Sequence, residues 1–200
     1  MAAALQYVMA QRLAGTARTE ARLREPAVLT VAALAIAGLC AALAWRIGAH
    51  PILLADGWLA VVSPALAVVD VFEHRLPNAL TIGSYPIVGT LLGPAAVIDR
   101  EPSAAVHAVL GALIVGGFFL LVAVAARGGL GAGDVKLAAL TAALSGWYGV
   151  GAALGSALVG LLYGAIIGAN HTATRGRPGT AHFPLGPAIL AGAFTVILIR

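Results

Sequence analysis

Long runs of apolar residues separated by short polar breaks dominate the chain. Seven can be delimited: Ala27–Trp45, Ile52–Val69, Ala79–Ile98, Ala104–Ala126, Val135–Gly146, Tyr148–Ala169 and Phe183–Ile199, together 131 of 200 residues. A helix that crosses a bilayer needs ~20 residues, within a usual range of about 17–25. Six runs meet that length, and Val135–Gly146, with 12 residues, is short. It either continues through Val150 with Gly146 as a break, or enters and leaves the membrane on one side. The remaining 69 residues are divided among termini and short loops, which leaves no room for a soluble domain. The pattern predicts an all-α, polytopic transmembrane helix bundle of six to seven spans. A basic segment, residues 1–26, precedes a membrane bundle over 27–200.

Composition agrees. The apolar set makes up 60% of the chain and charged residues 10%. Adding glycine and leaving out tyrosine gives about 70%, against roughly 45–50% for the same set in soluble domains. The net charge of +4 does not point to nucleic acid. Its twelve basic residues are scattered between apolar runs, without the clustering or interleaved aromatics of a nucleic-acid surface. Cys40 is the one cysteine, so there is neither a disulfide framework nor a cysteine-based zinc site.

The scattered arginines carry topological information instead. With seven crossings and a cytoplasmic N-terminus, the inside holds Arg12, Arg18, Arg22, Arg24, Arg75, Arg127, Lys136, Arg175 and Arg177. The outside holds Arg46, Arg100 and Arg200. Nine against three favours this orientation over the eight against four obtained if the short run only dips into the bilayer. The N-terminal run of 19 exceeds the ~7–15 residues of a signal-peptide core and reads as a first anchor.

Within that layout, three carboxylates lie in or beside the spans: Asp56, Asp70 and Asp134. Charge at membrane depth is costly, so each is a candidate by default. Asp56, near the outer end of its span, reads as an interfacial group reaching water. Asp70 ends the run LAVVSPALAVVD, and in the stretch that follows Pro77 disfavours helix at Leu76, ending the span there. Asp134 follows four glycines in RGGLGAGDVKLAAL and stands before an apolar helix, where an aspartate is also a good N-cap. Singly, neither Asp70 nor Asp134 rises far above an interfacial charge or a cap. Together they fall at one predicted membrane face, 64 residues apart in sequence. Two neighbouring carboxylates that share one proton are the equipment of aspartic proteolysis.

Three segments carry a family resemblance: Asp70 followed by LPNALT (76–81), GAGDVKL (131–137) and FPLGPAILAG (183–192). The chain resembles the type IV prepilin leader peptidases, membrane aspartic proteases of the GxGD class, over roughly residues 52–192. The resemblance implies Asp70 and Asp134 as the catalytic pair, with Gly131, Gly133, Lys136, Pro77 and Asn78 as motif or substrate-positioning residues. It implies no cofactor and no metal. The implied substrate is a prepilin or pseudopilin precursor, with a basic leader and a following apolar helix, cut at the cytoplasmic face after Gly. The implied setting is the plasma membrane. Longer members carry paired CxxC motifs associated with N-methylation; with Cys40 alone, this chain is similar to the short, peptidase-only form.

Other chemistries fit less well. His50, His74, His107, His171 and His182 form neither an i, i+4 pair nor HExxH, which argues against a metalloprotease. Lys136 reads equally as a substrate- or carboxylate-pairing group and as an inner-face charge. The rivals are a GxGD protease with other membrane clients and a non-enzymatic membrane subunit or small transporter. In the last case Asn at either aspartate would leave leader cleavage intact.

Overall fold

A computed structural model describes residues 25–126, 130–175 and 184–200. Residues 1–24 of the basic segment, Arg127, the glycines at 128 and 129, and most of the loop 170–183 lie outside the described residues. Those described are helical, without strand. Seven helices follow in order: α1 (Pro26–Ile47), α2 (Ile52–Glu73), α3 (Asn78–Ile98), α4 (Pro102–Ala125), α5 (Ala132–Trp147), α6 (Val150–Arg175) and α7 (Gly186–Ile199). Five of these are long and apolar enough to cross a bilayer: α1 to α4, and α6 over Val150–Asn170. The protein is thus a helical membrane bundle. At 1.5 Å per residue, α5 and α7 are only about 24 and 21 Å long. The chain divides after Pro102 into two compact units.

In the first unit α2 packs against α1 on one side and α3 on the other. It is correspondingly buried along its length, from Ile52 through Leu59 and Leu66 to Val69. Trp58 Nε1 donates to Ser84 Oγ at 2.9 Å, and Ser84 Oγ donates to the Leu80 carbonyl at 2.6 Å. This chain of donors ties α2 to α3 where apolar burial alone drives little association in lipid. At one end His50 Nδ1 lies 3.6 Å from Asp99 Oδ1. The α1–α2 connection and the end of α3 therefore share one end of the unit, and the α2–α3 connection, residues 74–77, forms the other.

In the second unit, glycines set how closely helices approach. A Cβ on Gly111 would lie 2.7 Å from the Ala142 carbonyl oxygen, one on Gly116 2.7 Å from Ala139 Cβ, and one on Gly146 2.8 Å from the His107 carbonyl oxygen. Partners on α5 fall in number as those on α4 rise, so the two helices run antiparallel. The short apolar run is therefore a complete helix alongside α4, three residues longer at its start than the apolar pattern suggests. Its break is not at Gly146, which is a packing position inside the helix, but at Tyr148–Gly149, where Gly149 takes φ +116°. Such a backbone suits glycine because no Cβ obstructs it.

Helices α6 and α7 also run antiparallel. Gly192 on α7 meets Gly160 and Ser156 on α6, while a Cβ on Gly164 would reach Leu185. Small residues let membrane helices come this close, and polar side chains then add hydrogen bonds between helices. Ser145 Oγ and Ser156 Oγ are 2.9 Å apart between α5 and α6, and Tyr163 Oη and Thr195 Oγ1 are 3.2 Å apart between α6 and α7. Meanwhile Leu113, Leu121, Val124, Leu158 and Ile166 remain exposed, as side chains solvated by acyl chains can.

Candidate active site

The two candidate carboxylates lie one in each unit. Asp70 occupies the last turn of α2 and is 4% exposed. Its carbonyl accepts the His74 N–H at 2.8 Å, and His74 adopts φ 50°, ψ 37° as the helix reverses. Of its neighbours Val69 is buried, whereas Val71 and Phe72 are exposed. The stop signal differs from the one expected. The helix ends at Glu73, at the left-handed His74, rather than at Leu76 before the proline. Pro77 instead starts α3: it is the N-cap, and its carbonyl accepts the N–H groups of Leu80 and Thr81, both at 3.0 Å, and the Thr81 hydroxyl at 3.2 Å. Asn78 is the first residue of α3 and is exposed. Asp70, Pro77 and Asn78 thus belong to one helical hairpin and to the same end of it.

Asp134 is half-buried, with Oδ1 withdrawn from solvent. It does not stand before its helix as a cap. Gly131 is the N-cap, Ala132 and Gly133 open α5, and Asp134 is the third helical residue. Its N–H donates to the Gly131 carbonyl at 3.0 Å. The carboxylate folds back toward the helix start, so that a Cβ on Gly131 would lie 3.1 Å from Asp134 Oδ2. Glycine at 131 is therefore a matter of space, not of conformation, because its φ of −70° is open to any residue. The first turn of a helix suits a carboxylate, since its N–H groups and dipole favour negative charge there. Lys136 follows two residues on and is half-buried.

Asp56 departs from its reading as an interfacial group reaching water: it is fully buried, at 0% exposure, in the first turns of α2. Asp56, Ser63 and Asp70 are all buried and spaced by seven residues. Two helical turns separate successive members, with a drift of only about 20° per step, so they form one polar stripe along α2. The heptad spacing is visible in the sequence and is the signal that burial at 56 would have needed. A further buried carboxylate, that of Glu73, ends the same helix and is hydrogen-bonded by Arg75 Nε. Among the described residues no group of three His, Cys, Asp or Glu side chains is disposed to hold a metal ion.

No curated protein and no solved structure matches the chain. The model of the type IV leader peptidase family matches residues 57–172, more than half of the chain. That match includes Asp70, the LPNALT segment and GAGD, and stops short of FPLGPAILAG. The chain belongs to the type IV leader peptidase family, and so is a membrane-embedded peptidase.

Proposed function

We propose that this protein is an aspartic endopeptidase that removes the basic leader from type IV prepilin-like or pseudopilin precursors, cutting after Gly at the cytoplasmic face of the plasma membrane. The observation that carries the reading is the placement of two carboxylates within the family match. One is buried in the last turn of a membrane helix, and the other is in the first turn of a helix whose preceding glycine makes room for it. The excess of arginine and lysine on one set of loops supports a cytoplasmic N-terminus and a cytoplasmic site.

In this reading Asp70 and Asp134 act on one peptide bond. Asp134, at the positive end of its helix dipole, takes a proton from water as the water oxygen attacks the scissile carbonyl. Asp70 carries the shared proton and donates it to the carbonyl oxygen. Collapse of the gem-diol intermediate then breaks the C–N bond, as one of its hydroxyls returns a proton to Asp70 and the leaving amine takes the proton held by Asp134. Gly131 leaves space for the Asp134 carboxylate, and Gly133 lies in the same turn. Pro77 and Asn78 fix the start of α3 beside the Asp70 helix end, and Lys136 positions substrate. The precursor's apolar helix lies in lipid, with its leader at the catalytic end.

The test is cleavage of a precursor by the purified protein in detergent, with chelator present. Asp70→Asn and Asp134→Asn should each lower turnover by about 10²–10⁴-fold or more, the usual contribution of a general acid or base. Near-normal cleavage by either variant rejects the assignment. Loss of wild-type activity to chelator, restored by zinc, points to a metalloprotease.

A further inference from the structure

The last turn of α2 holds a feature that the carboxylate pair does not use. Glu73 ends the helix with its side chain only 4% exposed, while the side chain of Arg75, which donates Nε–H to Glu73 Oε2, is 55% exposed. A carboxylate is poorly placed here: the C-terminal end of a helix dipole disfavours negative charge, and burial requires a cation or donors in compensation. The left-handed His74 brings the two side chains to the same side of the turn. Arg75, the cation that pairs with Glu73, is thus water-facing, and another guanidinium or ammonium can take its place without any change in net charge.

We infer that Glu73 is a specificity-determining residue, a receptor for a Lys or Arg side chain of the substrate, and that Arg75 holds the site until substrate displaces it. This rests on the leader-peptidase reading. Glu73 follows Asp70 by three residues, which places it on the same side of α2 and about 4.5 Å further along the axis. An extended peptide advances about 3.3 Å per residue. The cation that reaches Glu73 therefore lies one or two residues to the leader side of the scissile bond.

The experiment compares two synthetic precursor peptides that differ only at the second residue before the cut, Lys in one and Gln in the other. The readout is the ratio of their kcat/KM values. Wild type should favour Lys by about tenfold, the scale of one charge-assisted hydrogen bond. Glu73→Gln should bring the ratio to about twofold or below, and Glu73→Arg should invert it when Glu replaces Lys in the peptide. Arg75→Gln removes the competitor and should lower KM for the Lys peptide. A ratio unchanged in Glu73→Gln overturns the inference. So does a fall in the ratio with Arg75→Gln, which would make the ion pair merely structural; that variant decides the matter even if the Glu73 variants do not fold. If wild type cleaves neither peptide, the peptidase reading fails and this inference with it.

Discussion

Gly192 is the position where substitution by a single methyl group should do most damage. A Cβ there would lie 2.4 Å from the Gly160 nitrogen, 2.5 Å from the Ser156 carbonyl oxygen and 2.6 Å from Gly160 Cα. All three are backbone atoms of α6, so no side chain can rotate away. Reaching an ordinary contact of about 3.4 Å requires α6 and α7 to separate by about 1 Å locally. A radial gap of that size forfeits roughly a quarter to a half of each dispersion contact along the seam. Overpacking of this kind costs about 1–3 kcal/mol, occasionally more, and backbone-on-backbone contact places Gly192→Ala at the upper end. By the scaling of about 2–4 °C per kcal/mol for chains of this size, Tm should fall by roughly 6–12 °C. The assay is thermal unfolding in one detergent, with Gly89→Ala as control. Gly89 lies in the interior of α3 with nothing within 4 Å of a Cβ, so alanine there should be neutral or stabilise by about 0.5–1 kcal/mol. A Gly192→Ala protein that melts within about a degree of wild type would refute the packing of α6 on α7 described above.

Other expectations follow from the same geometry. Gly131→Ala should leave Tm nearly unchanged but reduce leader cleavage at least tenfold, because its methyl group displaces the Asp134 carboxylate; equal loss of fold and activity would contradict this. Asp56→Leu should destabilise by about 1–3 kcal/mol, the usual consequence of replacing a buried polar group, and Asp56→Asn by clearly less, read by thermal unfolding. Cysteines at His74 and Leu130 should both be labelled by a membrane-impermeant reagent from the cytoplasmic side only, and labelling from opposite sides would defeat the catalytic pairing.

Much of the fold was legible in the sequence because lipid imposes a simple rule. Every backbone polar group must be satisfied within its own segment, so apolar runs of sufficient length are helices. Helix ends were less legible. The end of α2 depends on a left-handed histidine, and that of α5 on Gly149, neither of which hydropathy registers. The role of Gly146 differs from the expected one for a related reason. Glycine looks like a break in one dimension, whereas here it admits the His107–Ala108 backbone. At the site, Asp70, Pro77 and GAGD stood out as motifs, but their helical positions did not. Asp134 is the third residue of α5 and not its cap, and Pro77 opens one helix without closing the other. The burial of Asp56 is legible only in the seven-residue spacing to Ser63 and Asp70, because its position near a span end by itself points to water.

The shortness of α5 has a consequence for where a substrate is cut. The contacts of Gly111, Gly116 and Gly146 set α5 against the middle of α4, leaving it recessed from each end of α4 by about one turn. Its first turn, with Asp134, is thus set back from the end of the longer helix. On the leader-peptidase reading, a substrate helix standing in the bilayer has to give up its own first turn to bring a peptide bond down to that depth. On that reading, the set-back of α5 would make distance from the lipid boundary, along with the residues that flank the bond, a determinant of where the precursor is cut.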